Sequence, residues 1–232
     1  MPRFFCAEPV QQHSQFELDT RVAQHVRVLR LREGDAITLF DGSGGETPAM
    51  LTRIDKRSVE VTTDGHVAVQ RELDRQITIY AALIANDRMD WMIQKACELG
   101  VSSIRPMFTE RSQRIAGDVT KRVEHWRGVL IAACEQCGRN LIPEIYAPVA
   151  LIEALPTLAT QSNVLLDADG DAAASSIASG STSIFVGPEG GFAPGKLELL
   201  RKRCDHKLRI GRTVLRAETA AIAALASLSS LT

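Results

Sequence analysis

Three glycines fall within five positions of "FVGPEGGF": Gly187, Gly190 and Gly191 surround Pro188 and Glu189, and Phe192 closes the run. Ser183 to Val186, just ahead of them, read as the end of a buried strand. A loop of this composition lets backbone amides and carbonyls approach a ligand with no Cβ in the way, and glycine admits positive φ. A second stretch, "LRIGRTVLRAETAAIAAL", has the same design. A strand from Leu208 to Ile210 ends at Gly211, and a short loop leads into a helix whose first turn carries Arg216, Glu218 and Thr219. Two such exits can form two walls of one pocket, beyond the carboxyl ends of strands where open α/β sheets bind ligands. The chemistry on offer is a backbone-lined site for a flat or amphiphilic small molecule, with a plain tight turn as the alternative. The spacing is neither that of a P-loop nor that of a dinucleotide fingerprint, which excludes a nucleoside triphosphate or a dinucleotide as the natural ligand.

Charge gathers around these loops although the 232-residue chain has a net charge of only -1. Between Gly195 and Arg216 eight bases face two acids, and Arg105, Arg111, Arg114, Lys121, Arg122 and Arg127 form a second positive stretch. A solvated helix face explains part of such a run; two of them around one ligand loop point to a phosphate-bearing partner. The five scattered cysteines, odd in number, argue against a disulfide framework. Cys134 and Cys137 form a C-x-x-C, but no second pair and no histidine spacing complete a metal site, so no metal is expected. No apolar run reaches the roughly 20 residues of a membrane span, and "MPRFFCAEPV" lacks the apolar core of a secretory signal. The expectation is a cytoplasmic protein with no membrane partner.

Two kinds of element must position the loops. In the first seventy residues, "DAITLFDGSGGETPAMLTRI" has apolar stretches on both sides of a glycine-rich turn, a hairpin signal. "RSVEVTTD" alternates as a strand, and "HVRVLRLREGD" is a short helix or strand and a turn. This part reads as a small β-barrel. From about residue 74 the rhythm changes: "QITIYAALIA" is a continuous apolar run of the buried parallel type. "NDRMDWMIQKACELG" follows as a helix capped by Asn86 or Asp87 and ended by Gly100. Strands at "SSIRPMF", "PEIYA", "NVLLDA", "SIFVG" and "HKLRI" then alternate with helices at "DVTKRVEHWRGVLIAACEQCGR", "VALIEALPTLA", "PGKLELLRKR" and "RAETAAIAALASL". The alternation predicts an α/β unit with a largely parallel sheet.

With those segments in order, the chain resembles the RsmE family, the small-subunit ribosomal RNA methyltransferases E, within the SPOUT methyltransferases. "FVGPEGGF" and "LRIGRTVLRAETAAIAAL" look like the paired C-terminal motifs; "HVRVLRLREGDAITLFDGSGGE" looks like the N-terminal PUA-like barrel. "KACELGV", "ERS" and the E-Q-x-x-R block in "AACEQCGR" match the central blocks, with Cys137 where serine is expected. The resemblance implies a PUA-like β-barrel over 1–72 and a SPOUT domain over 73–232, with a deep trefoil knot and the cofactor site at about 164–232. Pattern reasoning alone argues against a knot. The small side chains of "AETAAIAALASLSS" suit a threaded tail, and high helix propensity explains them equally.

The implied cofactor is S-adenosyl-L-methionine. Leu166, Gly187, Gly191, Ile210, Gly211 and Leu215 match its binding loops, and Glu189 lies in the first of them, to bind or to brace it. The implied reaction is methylation of N3 of uridine 1498 in 16S ribosomal RNA. Uracil N3 is a poor nucleophile until its proton is lost, and the resulting charge spreads onto the flanking carbonyl oxygens, where an arginine would stabilise it. Arg139 and Arg216, with Arg111, are the candidate arginines; Glu135 or Glu218 would accept the proton or orient an arginine. Each has a structural alternative: Glu135 and Arg139 as an i,i+4 helix pair, Glu218 as a first-turn carboxylate favoured by the helix dipole. Arg3, Arg27, Arg30 and Arg111 are the candidate RNA contacts. With eight bases against ten acids in the first seventy residues, recognition there would be local and shape-based. The implied partners are 16S rRNA in the small subunit and a second copy of the chain, as a homodimer. The alternatives are a SPOUT enzyme acting on another rRNA or tRNA nucleotide, or a non-catalytic RNA-binding assembly factor.

Overall fold

The computed structural model describes residues 1–115, 117–155, 161–171, 173–177 and 180–230. The chain divides into two compact units: unit 1 is Met1–Glu72 together with Cys134–Ile142, and unit 2 is Leu73–Ala133 with Pro143–Thr232.

Unit 1 is built on a five-stranded sheet in the order β1-β3-β4-β5-β2. Its strands are β1 (Arg3–Phe5), β2 (Gln15–Glu17), β3 (Ala36–Phe40), β4 (Thr47–Ile54) and β5 (Val59–Thr63). The pair expected around the glycine-rich turn forms: β3 and β4 run antiparallel with Ile37 opposite Ala49. "HVRV" lies in a helix, α1 (Thr20–Val28), capped by Asp19, whose carboxylate accepts from the Val22 N–H at 2.8 Å. The helix buries Val22, Ala23 and Val26 against Phe4, Ile37, Leu39, Leu51, Val59 and Val61, the core of this unit.

Unit 2 holds seven strands among the described residues, in the order β12-β10-β11-β6-β7-β8, with β9 also on β7. These are β6 (Ile77–Ala82), β7 (Ser103–Phe108), β8 (Glu144–Ile145), β9 (Val149–Ala150), β10 (Ser162–Leu166), β11 (Thr182–Val186) and β12 (His206–Leu208). Their recorded pairings are parallel, as the continuous apolar runs predict. The central β11 is buried along its whole length. The helices are α2 (Asn86–Glu98), α3 (Val119–Cys137), α4 (Leu151–Ala154), α5 (Pro194–Arg203) and α6 (Ala217–Ser229).

Three local expectations need correction. The N-cap of α2 is Ala85, with no side-chain cap bond, so Asn86 and Asp87 already lie inside the helix. The helix expected over "VALIEALPTLA" is described only as Leu151–Ala154, because Val149–Ala150 joins the sheet beside β7; its residues 156–159 lie outside the described residues. And α3 stops at Cys137, with Gly138 at φ 90 turning the chain out of the helix. Glu135 and Arg139 therefore do not share a helix face.

Arg75 fixes the end of α6. Only 4% exposed, it donates to Thr182 Oγ1 at 2.7 Å and to the Leu228 carbonyl in the last turn of α6 at 3.4 Å. Arg75→Met should lower the stability of unit 2 by about 1–3 kcal/mol through those lost bonds. The urea midpoint should fall with an unchanged slope; an unchanged midpoint would show that α6 is held by its apolar face alone. No helix among the described residues is long and apolar enough to cross a membrane.

Candidate functional site

The carboxyl ends of β10, β11 and β12 open onto one cavity of about 640 Å³, within the size range of small-molecule sites. Its apolar lining includes Leu166, Val186, Ile210, Leu215, Ala217 and Ala220. The glycine loop forms one wall. Phe192 explains its shape: the ring is buried among Tyr80, Leu165, Phe185 and Leu200, pulling the chain back into the core six residues after the end of β11. A Cβ on Gly187 would sit 3.2 Å from that ring, so only glycine fits without a shift. Gly191, at φ 67, closes a turn by donating to the Pro188 carbonyl at 2.8 Å. Arg111 pins the loop from outside, donating to the Gly190 carbonyl at 2.9 Å.

The opposite wall is the loop from Arg209 to Arg216. Arg209, Arg212 and Arg216 line the cavity with exposed side chains, a cationic rim over an apolar floor. Gly211, at φ 71, bends the loop but does not itself line the cavity. Arg201, from the same basic stretch, is spent differently. It grips Asp167 with Nε to Oδ2 at 2.6 Å and Nη2 to Oδ1 at 3.1 Å, and reaches Asp169 at 3.0 Å. That guanidinium is the leading reason the Asp167 carboxyl lies below its ordinary range. Asp167 follows Leu166 directly, so the pair braces the strand end that forms the cavity floor.

Glu218, in the first turn of α6, is 6% exposed. Its Oε1 lies 3.9 Å from Arg88 Nε, and its buried Oε2 has no hydrogen-bond partner among the described residues. Arg88 Nη1 in turn donates to Glu189 Oε1 at 3.3 Å, and the same oxygen is 3.5 Å from the Ala85 N–H at the start of α2. Arg88 was not singled out from the sequence. A signal was there: a cation in the first turn of a helix opposes the dipole and needs anionic partners.

Six of the seven expected cofactor residues therefore meet at one cavity (Leu166, Gly187, Glu189, Gly191, Ile210 and Leu215), with Arg216 beside them. Glu135, Arg139 and Glu218 are not among its lining residues; Glu218 lies just behind it, between the lining residues Ala217 and Ala220, whereas Glu135 and Arg139 belong to unit 1. Glu135 accepts from the Phe5 N–H at 3.0 Å and from Arg21 at 3.3 Å. Arg139 holds Glu72 in a two-pronged pair, Nε to Oε1 at 3.1 Å and Nη2 to Oε2. Of the expected RNA contacts, Arg3 turns inward to Glu46 and Asn140, each at 2.5 Å. Arg27 caps the Asp55 carbonyl at 2.8 Å, and Arg30 is exposed at φ 56.

Glu46 also accepts from Arg71, at 2.8 and 3.2 Å. Hydrogen bonds from Arg71, then from Arg3, hold its carboxyl down to about 2, against 4.5 ordinarily. A depressed folded-state value adds stability above the unfolded value and loses it as pH falls. Unit 1 should lose roughly 2 kcal/mol between pH 5 and pH 2 through this group, allowing for the exposure of Arg71. In Glu46→Gln that part of the acid dependence should vanish; acid melts of the two proteins with the same slope would refute it.

Comparison with known proteins follows the same division. The RNA methyltransferase domain profile matches residues 71–229 and the RNA methyltransferase PUA domain profile matches residues 18–64. The chain is 30% identical to the ribosomal RNA small subunit methyltransferase E of Rickettsia conorii, covering 99% of this chain and 95% of the relative. The enzyme of the same name from Bacillus subtilis is 27% identical over 99% and 96%. Among solved structures, a ribosomal RNA small subunit methyltransferase E from Neisseria gonorrhoeae bound to S-adenosyl methionine superposes with a TM-score of 0.92. It is 32% identical over 100% of this chain and 98% of that one. A Legionella pneumophila chain in complex with the same cofactor gives 0.92 at 34% identity, over 98% and 96%.

Proposed function

Because the chain belongs to the RNA methyltransferase family, and within it to the small-subunit methyltransferases E, we propose that it methylates N3 of uridine 1498 in 16S ribosomal RNA, using S-adenosylmethionine held in the cavity of unit 2. The observation that carries the proposal is the cavity itself: a glycine-lined wall, an aliphatic floor at three strand ends and a rim of arginines. The residues fit the cofactor. Leu166, Ile210 and Leu215 give a flat apolar shelf for an adenine ring, and the open side of Gly191, where an added Cβ meets nothing within 4 Å, leaves backbone accessible.

When bound, S-adenosylmethionine supplies an electrophilic methyl group on a sulfonium sulfur. The chain must place uracil N3 in line with it and remove the N3 proton. Glu218 is the acceptor, taking the proton on Oε2, the oxygen without a hydrogen-bond partner among the described residues. Arg216, two positions earlier in the chain and itself at the cavity rim, donates to the uracil carbonyl oxygen on which the negative charge gathers. Arg111 keeps the glycine loop in place, and Arg201 with Asp167 keeps the floor in place. Glu135 and Arg139, both expected as catalytic groups, are assigned instead to holding Cys134–Ile142 within unit 1.

The proposal extends to the surroundings. Unit 1 is a PUA-like barrel that binds RNA through Arg27 and Arg30, supported by the five-stranded sheet and the PUA-domain match. The stretch from about 164 onward forms a deep trefoil knot; the return of β12 to the outer edge beside β10, followed by α6 packing on β10, β11 and β6, supports it. The enzyme acts as a cytoplasmic homodimer on the small ribosomal subunit. Incubation with methyl-labelled S-adenosylmethionine and either naked 16S RNA or unmodified small subunits, with mapping of the label, tests the reading. A single methyl at N3 of uridine 1498 is expected, and label elsewhere would overturn the acceptor assignment.

A further inference from the structure

We propose that Arg88 is the positioning residue of this site, a clasp between the glycine loop and the first turn of α6 that holds Glu218 in place to receive the acceptor's proton. Arg88 stands in the first turn of α2, an element that carries none of the glycine loop or the 209–216 loop. From there it reaches Glu189 of the glycine loop at 3.3 Å and Glu218 of α6 at 3.9 Å, and it lines the cavity itself. All three residues lie in unit 2.

Two features separate this from an ordinary surface pair. First, the position is unfavourable for a cation on helix-dipole grounds, so Arg88 is kept there by its two carboxylates rather than by its helix. Second, Glu218 is nine-tenths buried, and a buried carboxylate with one oxygen unpartnered is costly unless a cation stands nearby. Arg88 approaches only Oε1, and so leaves Oε2 for a proton that arrives with the substrate. At 3.9 Å the contact is longer than a hydrogen bond. The same arginine holds Glu189, so the loop that wraps the cofactor and the carboxylate that serves the acceptor are set by one side chain.

This inference rests on the methyltransferase reading, and the experiment separates the two. Wild type, Arg88→Met, Arg88→Lys, Glu218→Gln and the Arg88→Met/Glu218→Gln double variant are compared. S-adenosylmethionine affinity is read by calorimetry, and single-turnover methylation of unmodified small subunits is read at saturating cofactor and RNA. Arg88→Met should lose about 100-fold in the single-turnover rate while cofactor affinity falls less than about tenfold. Arg88→Lys should recover at least tenfold of that loss by restoring the charge. The double variant should be no slower than Glu218→Gln alone, because the arginine acts through the glutamate. Losses that multiply in the double variant, a loss seen only in cofactor affinity, or an unimpaired Arg88→Met would each overturn the clasp with the enzyme's function intact. A wild-type chain that binds cofactor and labels no RNA would overturn the function, and the clasp with it.

Discussion

Glu218→Gln should reduce methyl transfer by two to three orders of magnitude while leaving the protein at least as stable as the wild type. Amide and carboxylate are nearly the same shape, so the packing around a side chain only 6% exposed is kept. What is lost is a proton acceptor, and a positioned general base contributes about 10²–10⁴-fold. Stability moves the other way for a physical reason. The carboxylate is desolvated, its Oε2 has no partner among the described residues, and its nearest cation is 3.9 Å away. Neutralising such a group removes a desolvation cost, the exchange of stability for activity that reactive sites show. The check is a melt and a single-turnover assay on one preparation, with S-adenosylmethionine affinity within about threefold of wild type. If activity and melting temperature fall together, Glu218 is a structural carboxylate of the helix first turn, and the proton goes elsewhere.

The residues legible in the sequence are those whose demands are local. Gly187 and Gly191 announce themselves because a positive φ or a close ring contact leaves few alternatives at that very position. Pro194 at the first turn of α5 fixes a helix start, and the apolar run at Ile77–Ala82 fixes a buried parallel strand, for the same reason. Arg88 was missed because its partners, Glu189 and Glu218, are more than a hundred positions away, and nothing in the spacing of "NDRMDW" names them. Asp167 and Arg201, 34 residues apart, were missed alike. The E-Q-x-x-R block shows the converse limit. A pattern that looks like a reactive helix face is broken by Gly138, and its two charged ends go to different partners within unit 1. Sequence periodicity places side chains on faces; it does not say which distant element meets that face.

Arg139→Met should destabilise unit 1 by about 3–5 kcal/mol and leave cofactor binding within about threefold. The guanidinium side chain is 6% exposed and its partner Glu72 only 14% exposed, so removing the cation strands a mostly buried carboxylate, the situation in which breaking a pair costs most. The bond ties residue 139 to residue 72 across 67 positions, and Arg3 and Arg71 add bonds to Asn140 and to the Gly138 carbonyl. Loss of Arg139 therefore loosens the whole segment Cys134–Ile142 from the sheet that it packs with. The cavity lies wholly in unit 2, which is why affinity for S-adenosylmethionine should survive. The chain offers a way to see the two units separately. Its two tryptophans and two tyrosines, Trp91, Trp126, Tyr80 and Tyr146, all lie in unit 2. Intrinsic fluorescence thus reports unit 2, whereas far-ultraviolet circular dichroism reports both. In Arg139→Met the dichroism should gain a transition several degrees ahead of the fluorescence one, and pairing the change with Glu72→Leu should recover much of the loss, since an apolar pair can replace a buried ionic one. Turnover per folded molecule, measured well below the first transition, should fall less than tenfold. A hundredfold fall there, with unchanged melting, would return Arg139 to the chemistry and remove it from the framework of unit 1.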